Sequence, residues 1–218
     1  MPLQNRVDPF GDIHAVDARG LFTGNRGIIH DPATKTLLKK RWTSKAWIIC
    51  TCEYKGQRRE PMGRNGQNGK AGWTELFFLD EVTALAAGHR PCFLCRRERA
   101  KAFAACYGLA FGVAEPKAPD IDAHLHGERL ASGGRTVELD RHGLDELPDG
   151  AMIFDGKADH AIRDGKALRW SFSGYDRVTD FNEFGSGEMC VVTPAATIAV
   201  LGRGYRPVWH PSAEGLTG

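Results

Sequence analysis

The spacing of apolar and polar positions changes along the chain, and each change marks an element. Residues 46–55 (Ala-Trp-Ile-Ile-Cys-Thr-Cys-Glu-Tyr-Lys) are rich in β-formers and predict a strand. Gly63, Gly66, Gly69 and Gly72 then mark a flexible loop, and 73–79 predict a second strand. The two strands read as a long-looped hairpin. Asp80 is a suitable N-cap for a short helix through Ala87, and Gly88 is its natural stop. Helices are predicted over 96–107 and 119–130, the second with Asp120 and Asp122 at its positive end. Beyond Gly134 the chain turns β-rich, with short strands near Val137, Met152, Ala161, Leu168 and Val191. Thr193-Pro194 reads as the N-cap and first residue of a helix ending at Gly204. Gly24-Asn25-Arg26-Gly27 reads as a loop, since Asn and Gly tolerate positive φ.

A weak internal repeat runs through this pattern. Residues 83–91 (Thr-Ala-Leu-Ala-Ala-Gly-His-Arg-Pro) resemble 199–207 (Ala-Val-Leu-Gly-Arg-Gly-Tyr-Arg-Pro), and Arg41-Trp42-Thr43 resembles Arg169-Trp170-Ser171. The expectation is an α+β fold of two short β–β–α units linked by helices, the second a degenerate copy. Residues 1–115 would form the first unit with an N-terminal extension. Residues 116–218 would form a helix and a β-rich second unit.

Composition changes this picture little. The chain has 218 residues, 42% hydrophobic and 26% charged, which excludes disorder, collagen and coiled coil as whole-chain descriptions. The longest apolar run, 102–114, has 13 residues and two glycines, short of the ~18 a membrane span needs. The first residues lack the apolar core of a secretory signal, so no membrane partner and a cytoplasmic location are expected. Charge is more informative. The net charge is +2, yet residues 35–70 hold ten Lys or Arg against two Glu, a local excess of +8. Such a segment suits a polyanion partner or a solvated face.

Six cysteines stand at 50, 52, 92, 95, 106 and 190. In a chain of this length without a signal, metal binding is favoured over disulfides. Cys92-Phe93-Leu94-Cys95 is the strongest motif. Two thiolates so spaced reach one ion, and zinc takes four tetrahedral ligands. The pair lies between a turn and a helix start, where backbone N–H groups and the helix dipole favour thiolate. Cys50 and Cys52, two apart in a strand, share a face and offer the remaining ligands. His30 or His126 is a stand-in if only one of them joins. Cys106 and Cys190 fall in apolar stretches and read as small buried hydrophobes.

Leu76-Phe77-Phe78, Ala84, Ala87-Gly88, Arg90-Pro91-Cys92, Cys95 and Arg96 resemble the second half of the zinc module of Ada-type DNA alkylation-repair proteins, over about residues 73–97. The resemblance implies a small mixed α/β unit in which four cysteines hold one zinc, and which contacts the DNA backbone. It carries the zinc role to Cys92 and Cys95. The family spaces its first cysteine pair by three residues, nearer the second pair. Here the spacing is one, with 39 residues between Cys52 and Cys92. The rest of the chain resembles a bacterial family without an assigned activity.

Three functions follow as expectations. The first is a zinc protein that binds nucleic acid through its basic first unit, with a link to DNA repair. Lys39, Lys40, Arg41, Arg58, Arg59, Arg64, Arg96 and Arg97 would contact phosphates, and Trp42, Trp47 and Trp73 would stack on bases. The second is a zinc hydrolase or deaminase. His126-Gly127-Glu128 fits the His-x-Glu half of a zinc deaminase signature and Pro91-Cys92 to Cys95 the other half, in reversed order. His126 would join the ion and Glu128 would move the proton. The third is a structural zinc with an interaction role. No serine nucleophile elbow is present, since Phe184-Gly185-Ser186-Gly187 lacks the flanking spacing.

Overall fold

Six short segments build the first sheet. In the computed structural model, which describes residues 1–185 and 189–216, its strands lie in the order Arg90–Pro91, Ile48–Thr51, Phe22–Asn25, Leu76–Phe78, Arg6–Val7, Ile13–His14. The sheet is mixed. Arg90–Pro91 runs parallel to Ile48–Thr51, and Arg6–Val7 parallel to Leu76–Phe78, while the remaining pairs are antiparallel. Ser186 and Gly187 of the stretch weighed above as a nucleophile elbow lie outside the described residues.

The hairpin expected between residues 46–55 and 73–79 does not form. Phe22–Asn25 lies between the two strands and pairs with both. The Gly24–Gly27 loop reading is corrected with it, because Gly24 and Asn25 are in that strand. Gly24 serves close approach rather than a turn. A Cβ there would stand 2.3 Å from the Ile48 carbonyl oxygen and 2.9 Å from the Phe78 ring.

The helices match the pattern closely. Helix α1, Glu81–Ala86, is capped by Asp80, whose carboxylate accepts from the Thr83 N–H at 2.9 Å. It ends at Gly88, with φ of +77°. Helix α2, Arg97–Phe111, runs past the expected end, and α3 covers Ala118–Glu128. After the short α4, Arg141–Leu144, comes α5, Ala195–Gly202. Thr193 does not cap α5. Its hydroxyl accepts from the Met152 N–H instead, and the Glu128 carboxylate accepts from the Ala196 N–H at 2.9 Å.

The second sheet is antiparallel throughout, in the order Val137–Leu139, Met189–Val191, Met152–Phe154, Asp159–Arg163, Lys166–Ser171, Gly174–Asp180. The fold is thus α+β. Helix α1 lies between the two sheets. Ala84 and Leu85 pack with Ile49, Leu76, Phe78, Phe103 and Ile121, while Val82 and Ala86 pack with Met152, Leu168 and Trp170. Ala196, Val200, Leu201 and Tyr205 join the first of these clusters, so one core bridges position 115. No described helix is long and apolar enough to cross a membrane.

Candidate metal centre

Period-two alternation sorts the first sheet into two faces. Ile49, Leu76 and Phe78 point into the core. The positions between them, Ile48, Cys50, Thr23, Asn25, Glu75 and Phe77, line a pocket of about 420 Å³ on the other face. Register puts Thr23 opposite both Cys50 and Phe77, so the three form a row across the strands.

The edge strand delivers the second cysteine pair to this row. Gly88 turns the chain out of α1. Arg129, fully buried, donates from Nε to the Gly88 carbonyl at 2.6 Å and from Nη1 to the Lys45 carbonyl at 2.9 Å. The Arg90 guanidinium forks onto Asp122 of α3 at 2.9 and 2.7 Å, and both groups are buried. These contacts seat Arg90–Pro91 beside Ile48–Thr51, and the Cys92 N–H then donates to the Ile49 carbonyl at 2.9 Å. The chain turns through Cys95 into α2.

The sulfur atoms of Cys50, Cys92 and Cys95 consequently lie within 4.8 Å of one another. Among the described residues no other group of three metal-ligating side chains gathers so closely. The Leu94 N–H donates to Cys92 Sγ at 3.3 Å. Hydrogen bonds from Cys50 and then Cys95 pull the Cys92 thiol far down, against the effect of burial. Cys50 is pushed up by its bonds to Cys92 and Cys95, with burial adding to the effect. One thiolate is therefore stabilised even without a cation, and a cation would draw off the remaining protons.

The other expected ligands stand elsewhere. Cys52 lines the pocket, but the strand ends at Thr51 and the Cys52 thiol points to the Leu21 carbonyl at 3.5 Å. His30 is buried against Thr74 and Gly63. His126 stacks edge-on against Trp42, with ring centroids 4.6 Å apart. Glu128 pairs with His124 and caps α5, so the expected catalytic pair is not brought to the sulfurs. Cys106 and Cys190 are half-buried, outside the cluster.

The expected phosphate contacts divide. Lys39, Lys40, Arg41, Arg58, Arg64 and Arg97 are exposed. Arg59 is tied to the buried Glu75 at 2.7 Å, and the buried Arg96 to the buried Glu81 at 3.0 Å. Trp47 is fully buried between the guanidinium groups of Arg26 and Arg129, at 4.0 and 4.6 Å, and offers no stacking face. Trp73 lines the pocket under Arg59, and Trp42 is at the surface.

Sequence reasoning missed Thr23, Asn25, Glu75 and Phe77. The signal was the two-residue period of a strand, which sets Glu75 and Phe77 on the face opposite Leu76 and Phe78. It was obscured because the partner strand carries Gly and Asn. Compared with protein-family models, with curated proteins and with solved structures, the chain has no match in any of the three. The likeness to the Ada-type module rests on the quoted residues themselves.

Proposed function

We propose that the chain is a zinc protein in which Cys50, Cys92 and Cys95 hold one ion. The observation that carries this is the convergence of three sulfurs from two adjacent strands and a helix start. An all-sulfur donor set suits zinc over magnesium or calcium, which take oxygen. The ion would tie the Ile48–Thr51 strand to the start of α2. The pocket beside it supports ligand binding better than hydrolysis. Among the described residues its only acidic side chain is Glu75, which already accepts from Arg59, the Met62 N–H and Asn65, and no histidine lines it. Metal analysis tests the reading. The wild type should carry about one zinc per chain, Cys92→Ser and Cys95→Ser should lose it, and Cys52→Ser should keep it. A folded wild type that takes up no zinc would overturn the proposal.

A second reading, contact with nucleic acid and through it a link to DNA repair, is supported by one surface feature. Lys39, Lys40, Arg41 and Trp42 are consecutive and exposed, and none of the three cations is in an ion pair among the described residues. Binding would run through phosphates and fall steeply with salt. Replacing Lys39, Lys40 and Arg41 together by Ala should flatten the salt slope by about 2.7 units, about 0.9 for each lost contact. Binding without salt dependence would remove this reading.

A further inference from the structure

The geometry points to an exchangeable fourth position on the metal, facing the pocket and fitted to a neutral heteroaromatic ring that coordinates through a ring nitrogen. This rests on the reading above that Cys50, Cys92 and Cys95 hold zinc. Three sulfurs leave one tetrahedral position to fill. All three also line the 420 Å³ pocket, so that position is reached from it. The volume falls in the range of small-molecule sites.

The walls select the ligand. Tyr54, Trp73 and Phe77 supply aromatic surface, with Ile48 and Leu94 as apolar neighbours. The charged side chains in the wall are Arg59 and Glu75, and they neutralise each other at 2.7 Å. Three thiolates on a divalent cation leave the centre at −1. A second anion would enter against that charge and against apolar walls. A neutral ring nitrogen adds no charge, is a favoured zinc donor, and lets its ring pack on the aromatic side chains. The polar side chains of Asn25 and Gln57 stand in the same wall to meet ring substituents. Binding displaces solvent from the ion and breaks no covalent bond.

The test uses the full-length protein loaded with cobalt(II), whose visible bands respond to each donor in a tetrahedral shell. Imidazole and benzimidazole are titrated in, with acetate and 2-mercaptoethanol as comparison ligands. Both rings should shift the bands at millimolar concentration, and benzimidazole should bind about five- to tenfold tighter through its added stacking surface. Trp73→Leu should erase that preference and leave the cobalt bound. The preference is also read on the wild type alone, so a Trp73 variant that fails to fold does not decide the matter. A wild type that binds no cobalt removes the metal reading itself. Bound cobalt whose spectrum ignores both rings overturns the inference while sparing the metal. Bands altered by Cys52→Ala overturn it too, since Cys52 would then fill the fourth position. A response to 2-mercaptoethanol or acetate but to neither ring would show an anionic ligand, with the same consequence.

Discussion

Two helix ends in this molecule share a sequence pattern and a backbone, and lead to different ends. After α1, the Gly88 N–H donates to the Leu85 carbonyl and the His89 N–H to the Ala84 carbonyl, both at 2.9 Å. After α5, the Gly204 N–H donates to Leu201 at 2.9 Å and the Tyr205 N–H to Val200 at 3.4 Å. Both glycines have positive φ, +77° and +97°. This is the Schellman closure of a helix, and each is followed by Arg-Pro. The likeness between residues 83–91 and 199–207 is thus a real likeness of local structure. It stops there. The first corner continues as a strand beside Ile48–Thr51 and delivers Cys92 to Cys50. The second continues as a segment without a strand, and the sheet around it is antiparallel where the first is mixed. Arg41-Trp42 lies outside any strand, whereas Arg169-Trp170 is within one. The same local code makes the same turn, and the neighbouring strand decides whether the turn becomes a site.

The two corners also touch. Asp80 and Glu81, fully buried at the start of α1, hold the segment that leaves the second corner. Glu81 accepts from the Tyr205 hydroxyl and from the Val208 N–H at 2.9 Å, and pairs with Arg96 and Arg99 at 3.0 and 3.1 Å. Asp80 accepts from the Tyr175 hydroxyl at 2.9 Å and the His210 N–H at 3.1 Å. Removing Glu81 therefore strikes both corners together. It strands the buried Arg96 at the base of the cysteine turn and releases the tail after Tyr205. Glu81→Ala should cost about 3–5 kcal/mol, the usual penalty for breaking a buried ion pair from one side. Urea unfolding of metal-free protein measures it apart from any zinc contribution. A loss under about 1 kcal/mol would show that the link between the corners carries little energy.

The contrast explains what the sequence made legible. Local codes were readable: the Asp80 cap, the Gly88 and Gly204 stops, and the Cys92–Cys95 turn at a helix start. Pairings across the chain were not. Phe22–Asn25 carries the composition of a turn, and only its fit between Ile48–Thr51 and Leu76–Phe78 makes it a strand. Losing that strand hid the pocket, because Thr23 and Asn25 line it. Charge counting failed for the same reason. Arg59 and Arg96 look available until folding brings Glu75 and Glu81 to them, 16 and 15 positions away. Cys52 fell to a boundary effect, since the strand that was to align it with Cys50 ends one residue earlier.

The finest test of the comparison exchanges each corner glycine for alanine. At Gly204 an added Cβ meets nothing within 4 Å, so Gly204→Ala feels only the left-handed backbone. That strain is about 1 kcal/mol. At Gly88 the Cβ would stand 2.3 Å from Arg129 Cγ and 3.0 Å from its Cδ. Arg129 cannot swing clear, because it is buried and its Nε holds the Gly88 carbonyl itself. Overpacking of this kind adds about 1–3 kcal/mol, so Gly88→Ala should cost about 2–4 kcal/mol in all. The two variants should also part in a second measurement. Moving Gly88 shifts the strand that seats Cys92, so zinc affinity should fall in Gly88→Ala and hold in Gly204→Ala. Parallel denaturation curves and zinc titrations of the two proteins read both effects. Equal losses of stability with unchanged zinc binding would mean that the first corner, like the second, is only the end of a helix.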